Sequence, residues 1–345
     1  MQNSEMELRE WIGQQLGTSA YQFNPLPGDA SFRTYFRVRL GEKSYIVMLA
    51  PPAKERTYEF VNIAKMWHQE GLLVPQVLAW EKEKGFVLLS DFGDVLLLDR
   101  LNEQSVNGFY QDALSAIVHL QGIDPQLANL PPYNAEYANV ELNHFQEWFV
   151  LKLLGLTNSA QENALWQSLC KQILDNFCMQ PQVTVHRDFH SRNLMVLPNQ
   201  SLGIIDFQDA MVGPITYDAV SLLKDCYITW PSADIHRWVA TFYEQLKNQG
   251  KIPGTSLKEF TQWFDWVGLQ RHIKVLGIFS RLKLRDNKSH YLMHLPRIMR
   301  YVLDVTRQYD VFAPFNQYLE TKIVPAMLVV LEQQNVHSAT DEKVA

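Results

Sequence analysis

The sequence predicts an α+β protein of two lobes, a small antiparallel sheet followed by a larger and mainly helical part, and three observations lead to this class. The chain has 345 residues, more than one small core needs. Short strand-like runs occupy residues 21–50 and 74–90. Apolar residues then recur at three- and four-residue steps through most of the remainder, as in amphipathic helices. We therefore expect an N-lobe at residues 1–92 and a C-lobe at residues 93–345.

The N-lobe pattern is that of one helix packed on about five antiparallel strands. Three strand-like runs alternate with turns up to residue 50, and Gly41-Glu42 has the composition of a hairpin turn between the second and third runs. Helical spacing then begins at Thr57, a suitable N-cap, and continues to Gln69. A second hairpin follows within residues 74–90.

The C-lobe is expected to be almost entirely helical, apart from short strand-like runs within residues 183–218. Its expected helices cover residues 105–121, 136–154, 159–178, 217–227, 235–247, 257–280, 290–307 and 315–334. Prolines punctuate the connections between the first of these helices.

The composition excludes several classes of protein. The net charge of −6 provides no overall field that would favour nucleic acid or anionic lipid. No apolar run approaches the roughly 18 residues that cross a bilayer, and the polar N-terminus does not read as a secretory signal. The three cysteines form neither a disulfide framework nor a zinc pattern. We expect a cytoplasmic protein that binds neither nucleic acid nor membranes.

Residues 183–218 carry the chemistry that the sequence shows most clearly. Asp188 closes a His-Arg-Asp triplet, Asn193 follows five residues later, and Asp206 ends an apolar run thirteen residues after that. This spacing is that of the catalytic and metal loops of kinase-type phosphotransferases. Asp188 would accept the proton of an attacking hydroxyl, while the oxygens of Asn193 and Asp206 are the hard ligands that Mg²⁺ prefers.

A simpler alternative is a polar hairpin that joins residues 183–185 to residues 203–205, with acids that merely solvate the loop. Three suitable side chains in register favour catalysis over that alternative. Arg192, beside the metal-ligand asparagine, is placed to face the acceptor or the γ-phosphate. Asp209, three residues beyond the metal aspartate, is a candidate for the metal, its water shell or the acceptor, and a structural turn residue is the alternative.

Structural roles are favoured for the histidines and the last aspartate of this segment. His186 and His190 suggest a metal pair, but their position in a kinase-type loop favours structural hydrogen bonds. Asp218, at a helix start, is expected to cap that helix and brace the catalytic loop.

Candidate nucleotide contacts lie in the N-lobe. Residues 28–31 stand where a kinase-type fold places its phosphate-covering loop, so the N–H groups near Ser31 and Phe32 and the Ser31 hydroxyl would be phosphate donors. An ordinary β-turn is the alternative, because the segment has one glycine only. The Asp-Phe-Gly run that begins at Asp91 lies too far before the catalytic loop to bind metal. Its position suits a hinge whose backbone meets the adenine edge, and a plain turn is the alternative.

One kinase feature is absent from its usual place. A lysine on the third strand pairs with the nucleotide phosphates in protein kinases, but Met48 stands there. Arg33 and Lys54 are the candidate replacement cations, and Glu59 is a candidate for orienting one of them. Reliance on Mg²⁺ and backbone groups alone is the other possibility.

The runs HRDFHSRN, IIDFQDA and GPITYDAVSLL resemble the aminoglycoside phosphotransferase superfamily, which also contains choline kinases. The resemblance implies a bilobal protein-kinase-like fold that uses ATP and Mg²⁺, with an acceptor pocket built on residues 136–154 and 257–285. Only about ten residues separate Asp206 from the helix expected near Thr216, so no peptide-binding activation loop fits. His190 stands where serine/threonine protein kinases usually have lysine. A small-molecule acceptor is therefore favoured.

Longer runs, among them GDASFRTYFRV and QRHIKVLGIFSRLKLRDNKSHYL, resemble bacterial cell-wall amino-sugar kinases. This resemblance implies phosphorylation of the anomeric hydroxyl of N-acetylmuramate and N-acetylglucosamine in peptidoglycan recycling. We separately expect a monomer. Six basic residues lie between Arg271 and Arg285, unlike the acidic pocket that a polycationic aminoglycoside needs. Arg271 and His272 are our candidates for substrate contact, and solvated helix charges are the alternative. Another small-molecule kinase and a weakly active pseudokinase are the rival functions.

Overall fold

The computed structural model describes residues 2–27 and 32–334, and its strands follow the predicted order. The strands are β1 Gln22–Pro25, β2 Thr34–Leu40, β3 Lys43–Leu49, β4 Val77–Glu81, β5 Phe86–Ser90, β6 Gln182–Val185, β7 Leu194–Val196, β8 Leu202–Ile204 and β9 Met211–Pro214. The α-helices are α1 Gln2–Leu16, α2 Thr57–Gln69, α3 Val106–Leu120, α4 Ala135–His144, α5 Ala160–Met179, α6 Tyr217–Leu223, α7 Ser232–Asn248, α8 Leu257–Asp286, α9 Leu295–Gln308, α10 Ala313–Tyr318 and α11 Val324–Gln333. In the part of the chain that the structure describes, no helix has the length and apolarity to span a membrane.

The chain divides into two compact units that interleave along the sequence. The first unit comprises Met1–Arg100, Ile123–Leu130 and Arg192–Ala210. The second unit comprises Leu101–Gly122, Pro131–Ser191 and Met211–Ala345. The lobe boundary placed at residue 92 stays a prediction.

The first unit contains the predicted five-stranded sheet, in the antiparallel order β1-β2-β3-β5-β4. Gly41 has a φ of +58° in the turn between β2 and β3, which confirms the predicted hairpin. Trp11 and Ile12 of α1 bury their side chains in one apolar cluster with Phe36 and Val47 of the sheet. This burial holds α1 on the sheet as a second helix of the unit.

The start of α2 differs from the prediction. Arg56 holds the N-cap position and makes no side-chain cap, whereas Thr57 is the first helical residue. The Thr57 hydroxyl donates to the carbonyl of Ala50 at 3.2 Å. The threonine therefore ties the helix to the chain just after β3 instead of capping it.

The second unit is organised around α8, which has 30 residues and buries side chains on all faces. Apolar residues of α8, α5 and α9 share one core cluster with Phe145 and Phe149. The helix predicted over residues 136–154 is α4 followed by π-helical turns at Phe145–Leu153. Gly277 of α8 lies so close to the His144 backbone that any side chain there would collide with it.

The strands around the chemical motif pair differently from the hairpin alternative, which is wrong. β6 pairs with β9, with Thr184 opposite Val212, in the second unit. β7 pairs with β8, with Leu194 opposite Ile204, in the first unit. Residues 183–218 therefore contribute a two-stranded ladder to each unit.

Candidate active site

The loop that carries Asp188 begins directly after β6 and is fastened by a buried aspartate. The Asp218 carboxylate accepts the backbone N–H of His186 at 2.7 Å and of Arg187 at 2.9 Å. Burial raises the pKa of Asp218, and these N–H groups and His186 oppose that effect. The predicted bracing role of Asp218 is confirmed. The predicted capping role is wrong, because Thr216 is the N-cap residue of α6 and no side chain caps it.

Asp188 lies half-buried among positive charges of the second unit. Its backbone N–H donates to Nδ1 of His186 at 3.2 Å, which gives that histidine the predicted structural hydrogen bond. Burial by itself raises the pKa of Asp188, but nearby cations outweigh burial and lower this pKa to about 2. In order of effect, these cations are Lys274, His190, Arg187 and Arg271. Asp188 is therefore a carboxylate at any physiological pH.

A buried ionic cluster stands beside this loop, and sequence reasoning missed its centre, Glu141. The Glu141 carboxylate lies 2.5 Å from Nη2 of Arg187 and 2.9 Å from Nζ of Lys274. It also accepts the Tyr133 hydroxyl, and Lys274 donates to the Tyr217 hydroxyl at 3.3 Å. Burial raises the pKa of Glu141, but the two cations lower it below its ordinary value. The available signal was a glutamate on the apolar face of α4.

Arg271 and His272 are both buried on α8, but their surroundings differ. Nη1 of Arg271 lies 3.6 Å from Sγ of Cys226, and its Nε is buried without a hydrogen-bond partner. His272 instead stacks on Tyr301 and shares a 2.9 Å hydrogen bond with the carbonyl of Lys224. Burial lowers the pKa of His272 to about 3, so this imidazole is neutral. Substrate contact stays a prediction for both residues, and these surroundings favour Arg271.

The far end of the loop is held by Asp225 in the second unit. This carboxylate accepts the N–H of Ser191 at 2.9 Å and its hydroxyl at 2.6 Å. His190 meets Tyr227 edge to face at 5.3 Å, and Tyr227 meets His294 in the same way at 5.1 Å. All three rings are partly exposed and together form an aromatic surface of the second unit.

The predicted metal ligands flank the β7–β8 hairpin of the first unit. Asn193 immediately precedes β7, and its carbonyl accepts the N–H of Ile205 at 3.0 Å. Nδ2 of Asn193 lies 3.5 Å from Oδ2 of Asp206, and Gln208 donates to Oδ1 of Asp206 at 2.8 Å. Asp206 has a φ of +64°, a left-handed backbone conformation that is uncommon outside glycine. The hairpin therefore brings the amide and the carboxylate together.

This donor pair suits Mg²⁺ supplied with a nucleotide. No cluster of three or more His, Cys, Asp or Glu side chains able to hold a metal occurs among residues 2–27 and 32–334. Mg²⁺ usually takes one or two protein oxygens and completes its shell with phosphates and water. Asn193 and Asp206 meet that requirement. Arg192 is partly exposed and Asp209 is exposed in the same unit; their roles stay predictions.

The other candidate nucleotide residues also lie in the first unit, except that Ser31 is outside the described residues. Phe32 is exposed, and its N–H donates to Oε1 of Glu55 at 2.8 Å. Asp91 is engaged by Arg37, with contacts of 2.7 and 3.1 Å, and accepts the Ser44 hydroxyl. Its side chain therefore braces the loop after β5, so a nucleotide contact there would fall to the backbone.

Comparison with known proteins agrees with this arrangement of fold and motif. The phosphotransferase enzyme family matches residues 22–253. The chain is 36% identical over 310 residues to an N-acetylmuramate/N-acetylglucosamine kinase of Pseudomonas putida. The aligned residues cover 87% of this chain and 91% of that protein. A protein of the same name from Neisseria meningitidis is 36% identical over 91% of this chain and 95% of its own length.

Solved structures show the same fold at low sequence identity. The ADP-bound aminoglycoside phosphotransferase APH(2'')-Ib has a TM-score of 0.58 at 14% identity, over 87% of this chain and 98% of that one. An ethanolamine kinase of Plasmodium vivax has a TM-score of 0.60 at 11% identity, over 84% and 83% of the two chains. The predicted protein-kinase-like α+β fold is confirmed. The chain belongs to the phosphotransferase enzyme family.

Proposed function

We propose that this protein is an ATP-dependent kinase that phosphorylates the anomeric hydroxyl of N-acetylmuramate and/or N-acetylglucosamine to the 1-phosphate. The observation that carries the chemistry is the Asp188 carboxylate, held ionised in a loop that buried aspartates fasten at both ends. The substrate class is suggested by relatives of 36% identity that bear the name of these kinases. The aromatic surface at His190 and Tyr227 is suited to a sugar ring.

The proposed role of Asp188 is to align the acceptor hydroxyl and to accept its proton. A carboxylate with a pKa of about 2 is a weak base. An anomeric hydroxyl is more acidic than an ordinary alcohol. In the loose transition state of phosphoryl transfer, little proton transfer to the base is needed before the bond to phosphorus forms. Orientation of the hydroxyl is therefore the larger contribution. The sugar oxygen forms a bond to the γ-phosphorus of ATP as the bond between that phosphorus and the β–γ bridging oxygen breaks. ADP then leaves.

Asn193 and Asp206 would hold Mg²⁺ through one amide and one carboxylate oxygen. The chemistry that such a cation would supply is positive charge to offset the negative charge developing on the transferred phosphoryl group and the leaving ADP. Gln208, which donates to Asp206, keeps that carboxylate oriented. The protein's own contribution is to position these two oxygens at the ends of the β7–β8 hairpin.

Arg271 is our candidate for recognising the acid function of N-acetylmuramate. This sugar carries a lactyl carboxylate that N-acetylglucosamine lacks, and a guanidinium binds carboxylates with two parallel hydrogen bonds. Arg271 is 3% exposed, interacts electrostatically with Asp188 and has an unpartnered Nε. Cations dominate the surroundings of Asp188, which disfavours a polycationic aminoglycoside as acceptor.

The test is to incubate the protein with ATP, Mg²⁺ and single acceptors and to record phosphorus NMR spectra of the products. The acceptors are N-acetylmuramate, N-acetylglucosamine, kanamycin, choline and homoserine. We expect an anomeric phosphate signal from one or both amino sugars, formed far more slowly by Asp188→Asn. A 6-phosphate signal, or turnover of an aminoglycoside only, would overturn the substrate. No turnover with any acceptor by folded, ADP-binding protein would favour a pseudokinase.

A further inference from the structure

The first unit lacks a lysine where protein kinases hold the nucleotide phosphates. Met48 of β3 is fully buried and lies opposite Tyr35 of β2 and Val87 of β5. A thioether carries no charge, so it makes no ion pair with a phosphate. If the protein is a kinase, another cation of this unit is a candidate to supply the missing charge.

Arg33 lies close to this gap, one residue before β2. Its side chain is 7% exposed, and its Nε is 3.0 Å from Oε2 of Glu55. The guanidinium also stands 5.9 Å from the ring centre of Phe60 on α2. A guanidinium has five N–H donors in a planar fork, so it can bind a phosphate oxygen in addition to its protein partners.

Arg33 and the metal-ligand aspartate share one neighbourhood of this unit. Both lie within electrostatic range of Tyr35, and Arg33 also makes a side-chain hydrogen bond with Tyr35. Phe60, beneath the guanidinium, stacks on Phe207 at 5.0 Å, and Phe207 adjoins Asp206 in sequence. A polyphosphate bound to a metal at Asp206 would therefore come near Arg33.

Glu55 has two contacts that prepare Arg33 for this task. One carboxylate oxygen pairs with the guanidinium, and the other accepts the N–H of Phe32 at 2.8 Å. The same side chain thus fixes the backbone of Phe32 and the side chain of Arg33. Glu59, the glutamate expected to orient the cation, is exposed on α2. Lys54, the other candidate cation, lies over the exposed ring of Phe32 at 4.5 Å.

We propose that Arg33, oriented by Glu55, replaces the third-strand lysine and binds the β-phosphate of the nucleotide. This inference rests on the proposed kinase function, but it concerns nucleotide binding and is independent of the sugar. The Arg33–Glu55 ion pair would then correspond to the lysine–glutamate ion pair of protein kinases, although it lies on different elements of the first unit.

The experiment is calorimetric titration of the full chain with Mg²⁺ and either ADP or AMP. Arg33→Met should weaken ADP binding about 10- to 100-fold, as expected for a lost charge-assisted contact. AMP binding should change little, since AMP has no β-phosphate. Arg33→Lys should retain part of the ADP affinity, and Glu55→Gln should lose less than Arg33→Met. Arg39→Met, an exposed arginine of β2, is the matched control and should bind ADP normally.

Three outcomes would overturn the inference. These are normal ADP binding by Arg33→Met, equal losses for ADP and AMP, and a loss with Lys54→Met that Arg33→Met does not show. Thermal unfolding of each variant identifies general damage, and recovery of binding in Arg33→Lys distinguishes loss of charge from loss of fold. Selective loss of ADP binding in a protein that phosphorylates no amino sugar would support this inference while it rejects the proposed acceptor.

Discussion

Two buried arginines, one in each compact unit, have opposite electrostatic surroundings. Arg33 has the carboxylate of Glu55 at 3.0 Å. Arg271 has the thiol of Cys226 at 3.6 Å, and no carboxylate of the described residues lies within ion-pair distance of it. A buried charge is costly unless a counter-charge accompanies it. The pair at Arg33 is complete before a ligand arrives, whereas Arg271 is suited to an anion that the ligand brings.

The difference separates two kinds of recognition. Arg33 is held in one orientation by the protein, which prepares it for a phosphate that every nucleotide substrate carries. Arg271 has its charge balanced at longer range, by Asp188 among others, so an acceptor carboxylate would gain a strong interaction there. Discrimination between a charged and a neutral amino sugar should therefore reside at Arg271 and not at Arg33.

The largest effect should follow from removal of the proposed catalytic carboxylate, which neither arginine replaces. Asp188→Asn keeps the size of the side chain but cannot accept a proton. We expect kcat to fall by about 10²- to 10⁴-fold, the usual contribution of a positioned base, with ADP affinity unchanged. Single-turnover phosphorylation and ADP calorimetry measure the two quantities separately. Near-normal turnover would remove Asp188 from the mechanism.

The second prediction tests the arginine that lacks a protein carboxylate. Arg271→Met should raise KM for N-acetylmuramate about 10- to 100-fold and leave KM for N-acetylglucosamine nearly unchanged, because only the former carries the carboxylate. Arg285→Met is the matched control, since Arg285 is exposed at the end of the same helix and pairs with Asp286. Equal losses for both sugars would show that Arg271 supports the fold or Asp188 instead of selecting the acceptor.

The contrast between these arginines was outside the reach of sequence analysis. Asp188, Asn193 and Asp206 could be proposed together from sequence because the loop spacing that joins them is local; their roles stay predictions. The ion pairs depend on residues distant in sequence: Glu55 lies 22 residues from Arg33, and Glu141 lies 133 residues from Lys274. No periodicity encodes such pairs.

The accuracy of the secondary-structure predictions depended on how local each sequence signal was. The hairpin at Gly41 has a strong turn signal and was predicted correctly. Thr57 has the composition of an N-cap, but a tertiary hydrogen bond to Ala50 takes its hydroxyl. In α8 both Arg271 and His272 are buried, so position on a helix face does not separate a ligand contact from a core residue.

The third prediction concerns that neighbour, His272, whose hydrogen bond and ring stack are internal. In the unfolded chain its imidazole takes up a proton below the ordinary pKa of 6.5, whereas in the fold its pKa is about 3. Stability is therefore present above pH 6.5 and is lost as the pH falls towards 3, at up to about 1.4 kcal/mol per unit. Between pH 7 and pH 5, the free energy of unfolding measured with urea should fall by about 2 kcal/mol less in His272→Gln than in the unaltered protein.

The sugar kinetics of the same variant sharpen the contrast with its neighbour. His272→Gln should leave KM for both amino sugars within about twofold, because the buried imidazole is engaged by the Tyr301 ring and the Lys224 carbonyl. A selective rise in KM for N-acetylmuramate would restore His272 as a substrate contact. It would also weaken the case for Arg271 alone.

The last prediction converts one kind of arginine into the other. Cys226 is 3% exposed and provides the sulfur that faces Arg271, so Cys226→Asp would give this guanidinium a carboxylate partner like that of Arg33. We expect about a tenfold rise in KM for N-acetylmuramate, with N-acetylglucosamine unaffected, because the acceptor carboxylate then competes with an internal one. Cys226→Asn has the same shape without the charge and should keep the preference. If Cys226→Asp, folded by thermal unfolding, still favours the acidic sugar, the carboxylate is recognised elsewhere.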